Sequence, residues 1–73
     1  MTYKTAAVNI DLLRRRSGMS QADIGKMLGL SQASASRKLH GLTPFSAEEI
    51  VTCADYFGIS LDEIYGREPQ MKA

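Results

Sequence analysis

The chain has little of what enzymes, secreted scaffolds and membrane proteins are built from. It contains one cysteine, Cys53, and one histidine, His40. A lone cysteine cannot close an internal disulfide, and there is no CxxC pair or Cys/His cluster. Stapled scaffolds and zinc sites are thereby excluded, and a reducing compartment is the natural setting. No carboxylate pair stands at a readable spacing, so neither a nucleophile with its base nor a metal site can be assembled, and neither an enzyme nor a cofactor is expected. No apolar run is long enough to cross a bilayer, and Met1 to Lys4 does not open a signal peptide. A soluble, cytoplasmic protein is expected. Repeats, low-complexity tracts, long linkers and strand-type alternation are missing as well. From seventy-three residues one small domain is expected, without a second, ligand-sensing one.

What the chain does have is an uneven charge distribution. From Met1 to Pro44 the basic residues are Lys4, Arg14, Arg15, Arg16, Lys26, Arg37 and Lys38, against the acids Asp11 and Asp23. From Phe45 onward Arg67 and Lys72 face Glu48, Glu49, Asp55, Asp62, Glu63 and Glu68. The net charge is +1, yet one half is suited to a polyanion and the other avoids it.

The punctuation is of helix type throughout. Ala6, Ile10 and Leu13 recur at helical spacing between Thr5 and Arg16, and Gly18 follows as a stop. Ser20 caps a second segment, Gln21 to Leu28, whose Ile24, Met27 and Leu28 form an apolar stripe ended by Gly29. Ser31 caps a third, Gln32 to His40, with Ala35, Leu39 and then Leu42 on its apolar side and Gly41 at its end. Thr43, Pro44 and Phe45 read as a loop, because Pro44 restricts its predecessor and lacks an amide donor. Ser46 with Glu49 forms a capping box for a fourth helix bearing Ile50, Ala54 and Phe57, with Cys53 beside that stripe as a small apolar residue. Ser60 with Glu63 repeats the box for a short fifth helix bearing Leu61, Ile64 and Tyr65, ended by Gly66. One domain over 1–66 with a frayed tail over 67–73 is the expected division.

Helices two and three are joined by Gly29, Leu30 and Ser31 alone. A connection that short forces a steep crossing, the arrangement of a helix-turn-helix over about residues 20–40. Gly29 supplies the positive φ of the turn, and Gly25, inside helix two, is explained by close approach of helix three. With Ala35 and Leu39 taken by the core, the outer face of helix three is Gln32, Ala33, Ser36, Arg37 and His40. The amide of Gln32 matches adenine N6 and N7, and Ala33 lets the helix enter a groove and touch a thymine methyl. The fork of Arg37 suits guanine O6 and N7 or a phosphate, and Ser36 serves either target.

Phosphate contacts are expected from Ser20 with Gln21, from Ser31, and from the Thr43 to Ser46 loop, although capping alone also explains the serines. Lys38 divides between a phosphate and plain solvation, and His40 between a phosphate and the dipole at the helix end. Arg14, Arg15 and Arg16 close helix one as electrostatic background, with one of them expected to pair with an acid of helix four or five.

The run MSQADIGKMLGLSQASASRKLHG followed by TPFSAEEI resembles the Cro/repressor class of helix-turn-helix regulators, the XRE type of bacteria and their phages. The resemblance covers roughly Ala6 to Tyr65. It implies an all-α, compact five-helix, lambda-repressor-like domain in which Gln21 touches a phosphate and Gln32, Ala33, Ser36 and Arg37 face the major groove. The family often carries aliphatic residues where Ala35 and Lys38 stand. Lighter packing or a slight rotation of helix three is therefore expected, with the relative exposure of Lys38 and His40 left to the tertiary structure.

Double-stranded DNA is the expected partner, bound by a homodimeric repressor on two half-sites. Pairing is expected through Leu61, Ile64, Tyr65 or the tail, unless these residues only close a small core. The alternative is a protein-interaction module, such as an antitoxin or accessory regulator, whose acidic half binds another protein and whose DNA contacts are secondary. No membrane and no small-molecule ligand enters either reading.

Overall fold

Serines and glycines at the helix ends dictate how this chain folds locally. The computed structural model describes residues 3–67, and among these every regular element is a helix. The order is α1 (Tyr3–Arg16), α2 (Gln21–Leu28), α3 (Gln32–Leu39), α4 (Ala47–Phe57) and α5 (Leu61–Ile64). Helix α1 begins two residues earlier than its apolar spacing predicts, and α3 ends one residue earlier, with His40 as its cap. Residues 68–73, most of the expected tail, lie outside the described residues.

Each of α2 to α5 opens on a serine whose hydroxyl accepts the amide three residues on: Ser20 from Asp23, Ser31 from Ser34, Ser46 from Glu49 and Ser60 from Glu63. Three of these are full capping boxes, in which the acid returns to the serine's own amide at 2.9 Å. The Ser20/Asp23 box is one that the sequence reading missed. An apolar residue precedes the cap, and a buried one stands at the fourth helical position, in Met19/Ile24, Phe45/Ile50 and Ile59/Ile64. This is the spacing of a hydrophobic staple, which fixes the direction from which the chain enters each helix.

At the other end of α2, Gly29 sits at φ 72° and the Leu30 amide reaches the Gly25 carbonyl at 2.7 Å. The helix is closed and the chain turned within three residues.

The core is Ala6, Ala7, Ile10, Ile24, Ala35, Leu39, Phe45, Ile50, Cys53, Ala54 and Ile64. Helix α3 packs on α2 and α1, and α5 on α4 and α1, so α1 supports both the α2–α3 pair and the C-terminal pair. Cys53 is fully buried, and burial, followed by the charge of Glu49, pushes its thiol up to about 11. Leu42, expected to extend the apolar side of α3, is instead 68% exposed. Gly41, at φ 76°, turns the chain out of the helix, so the three-residue step from Leu39 no longer falls on the same face. No helix among the described residues is long and apolar enough to cross a membrane.

Candidate nucleic-acid interface

Two short helices and a three-residue turn place the candidate surface. Gly25 is buried, and a Cβ there would stand 2.9 Å from the Leu30 carbonyl oxygen, 3.4 Å from that of Ser31 and 3.6 Å from the Ala35 Cβ. The expected close approach of α3 to α2 is therefore present, with the backbone of the turn as its tightest part. Ala35 and Leu39 face inward, which leaves Gln32, Ala33 and Arg37 exposed and Ser36 half-buried on the other side of α3.

Helix α3 also differs from its neighbours at its start. Asp23, Glu48 with Glu49, and Asp62 with Glu63 occupy the first turns of α2, α4 and α5, whereas α3 has no acid in its first turn. Its free amides and partial positive charge meet no built-in anion. At α2 the hydrogen bonds from the Ser20 amide and then its hydroxyl hold the Asp23 carboxyl below its usual range, so a carboxylate already occupies that helix start.

The remaining candidates fall into three situations. Ser20, Ser31 and Ser46 are exposed and engaged in caps, while Gln21 and Thr43 are half-buried beside the starts of α2 and α4. His40 is exposed at the end of α3, and its Nδ1 lies 2.8 Å from the Ser36 carbonyl oxygen. A carbonyl only accepts, so Nδ1 carries the hydrogen, and Nε2 is the ring atom left for an outside partner. Lys38, expected at the flank, turns instead to Glu49: Nζ donates to Oε1 at 2.6 Å, with 16% of one side chain and 14% of the other exposed. Thus the open question between Lys38 and His40 resolves with His40 outward and Lys38 largely covered.

Glu49 was legible as a cap but not as the partner of Lys38. Burial would raise its pKa, but the Lys38 ammonium and the Ser46 amide outweigh that and hold the carboxyl below its usual range.

The arginines of α1 correct another expectation. None pairs with an acid of α4 or α5. Arg14 and Arg15 both bind Asp11 on their own helix, at 2.8 and 3.0 Å, because side chains three and four residues apart share a helix face. Arg14 also donates to the Met19 carbonyl at 2.9 Å and so steadies the entry to α2. Of the residues assigned to pairing between copies, Leu61 is 44% exposed, Tyr65 half-buried and Ile64 fully buried. Ile64 belongs to the core of the single chain and supplies no surface. Its carbonyl accepts the Asn9 amide at 2.7 Å, a clamp between α1 and α5 that no local pattern announces.

Among the described residues no group of three His, Cys, Asp or Glu could hold a metal ion. No curated protein and no solved structure matches the chain. A family model described as helix-turn-helix matches residues 10–64, a span running from the core of α1 to the end of α5 and containing the whole α2–α3 pair. With serine-capped helices on either side of a glycine turn and a polar, acid-free outer face on the second of them, this chain belongs to the helix-turn-helix family of the XRE type, proteins that bind DNA to regulate transcription.

Proposed function

We propose that the protein recognises specific double-stranded sequences by laying α3 in the major groove, and that it acts as a transcriptional repressor of bacterial or phage origin. The observation that carries this reading is the outer face of α3, where Gln32, Ala33 and Arg37 stand exposed on a helix whose first turn holds no acid. Gln32, one step after the cap, pairs its amide with adenine N6 and N7, and Ala33 admits the helix to the groove. Arg37 forks onto guanine or a flanking phosphate, and half-buried Ser36 reaches only close partners.

Phosphates are anchored by the Ser31 hydroxyl with the free amides at the start of α3, and by the side chains of Ser20, Gln21, Thr43 and Ser46, since the Ser20 and Ser46 amides are taken by Asp23 and Glu49. His40 joins them in its imidazolium form, in which Nε2 also carries a hydrogen to donate. Lys38 is left out of this set because Glu49 holds its ammonium. A single domain of this size makes few contacts, so a homodimer spanning half-sites one helical turn apart, about 34–36 Å, completes the reading. Leu61 and Tyr65 are the α5 residues offered to the partner copy.

The test is selection of duplexes from a random library by the purified protein at near-physiological salt, followed by sequencing. An enriched motif with two-fold symmetry is expected. A lone half-site would make the protein a monomeric reader. Weak, steeply salt-dependent binding without any motif would overturn sequence recognition and favour a protein-interaction module.

A further inference from the structure

We propose that Lys38 is a positioning residue: its ion pair with Glu49 sets the angle at which α3 presents Gln32, Ser36 and Arg37 to a duplex. The inference rests on the base-reading role proposed for α3. Lys38 follows Arg37 directly, and its Nζ reaches Glu49 Oε1 at 2.6 Å. The same oxygen accepts the Ser46 amide at 2.9 Å. One carboxylate atom therefore ties the last turn of α3 to the cap of α4, across the loop that contains Gly41 and Pro44. Among the described residues this is the polar side-chain contact that joins the two helices.

The packing of α3 shows why such a tie matters. The helix has eight residues, and its buried side chains are Ala35 and Leu39. A methyl group and one leucine give an eight-residue helix few interlocking contacts against rolling about its axis. A roll moves Gln32, Ser36 and Arg37 together relative to any groove that they enter, and hydrogen bonds to base edges lose strength steeply with misalignment. With both side chains mostly covered, the Lys38–Glu49 attraction is only weakly screened by salt and holds α3 in one setting. A phosphate would have to draw Lys38 away from a carboxylate already in contact. That would leave Glu49 without its cationic partner at the start of α4, with only the Ser46 cap to hold its charge beside the DNA backbone.

The experiment titrates wild type, Lys38→Met, Glu49→Gln and the double variant with the duplex selected by the wild-type protein and with a random duplex. Titrations are run over a series of salt concentrations, at a temperature where circular dichroism shows each variant folded. Each single variant is expected to lose about tenfold in affinity for the selected duplex, with random-duplex affinity and salt slope unchanged. The double variant loses no more than either single one, because all three remove one interaction. Thermal destabilisation alone would not move the ratio of selected to random binding in folded protein.

Glu49→Gln carries the test if Lys38→Met does not fold, since glutamine keeps an acceptor for the Ser46 amide. Equal weakening on both duplexes in Lys38→Met, with the salt slope reduced by about 0.9 and no loss in Glu49→Gln, would make Lys38 a phosphate contact and overturn the proposal. Unchanged selectivity in both variants would overturn it too. A wild-type protein that selects no duplex removes the base-reading role and this inference with it. A selective wild type with equally selective variants removes this inference alone.

Discussion

Gln32 and Arg37 are both exposed on α3, but they differ in what their removal reports. If each reads a base edge, Gln32→Ala or Arg37→Ala weakens binding to the selected site by about 1–3 kcal/mol and alters random-duplex binding less. Competition titrations with the two duplexes measure the difference, and equal losses on both reassign the residue to the backbone. Gly25 offers a test of the turn rather than of DNA. Alanine normally favours a helix interior over glycine by roughly 0.5–1 kcal/mol. Here its methyl would meet the Leu30 carbonyl oxygen at 2.9 Å, and that oxygen belongs to the turn itself. Gly25→Ala is therefore expected to destabilise the fold by about 1–3 kcal/mol, as overpacking does, with denaturant unfolding as the measure. A stabilised variant would show that the turn yields freely.

Between elements, the joint of α3 and α4 gives the fold an acid-sensitive point. The Glu49 carboxyl is held below its ordinary value of 4.5 in the folded chain, so its ionised form favours folding. That contribution is complete above the unfolded value and is lost as the pH falls through the lowered folded one. Unfolding midpoints followed downward from pH 5 should fall less steeply in Glu49→Gln than in wild type. Identical slopes would mean that the bridge adds no pH-dependent stability. Asp23 titrates in the same direction, so the comparison requires the variant rather than the wild-type curve alone. Helix α5 is another case of dependence between elements. A four-residue helix has no stability of its own in water, and it persists here through its capping box, the burial of Ile64 and the Asn9 clamp on the Ile64 carbonyl.

Among the described residues the exposed cations Lys4, Arg15, Arg16, Lys26 and Arg37 lie on α1 to α3, where Asp23 is the exposed acid, and the exposed acids Glu48, Asp55, Asp62 and Glu63 lie on α4 and α5, with exposed Arg67 just after them. Such a division draws the α2–α3 pair toward a polyanion and keeps the acidic helices away from it. Leu61, at 44% exposed, stands on the acidic side. If two copies pair through α5, Leu61→Glu leaves the monomer folded and abolishes the advantage of a two-half-site duplex over a single half-site. Sedimentation and titration of both duplexes read this out, and an unaffected advantage moves the contact elsewhere.

The helix ends were legible in the amino-acid sequence because capping is local: a serine, the residue three positions on and a glycine decide it within one turn of backbone. Residues at Ser20, Ser31, Ser46 and Ser60 therefore behave as read, and the tight turn after Gly29 was legible for the same reason. What α3 does with its short faces was not. Two turns of helix fix its rotation only loosely, so which of Lys38 and His40 points outward was settled by Glu49, eleven residues away in the chain. Leu42 and Ile64 show the same limit: both are apolar near the end of a short helix, yet one is 68% exposed and the other fully buried. Spacing along a chain assigns a residue to an element, but burial is decided by which other element arrives to cover it.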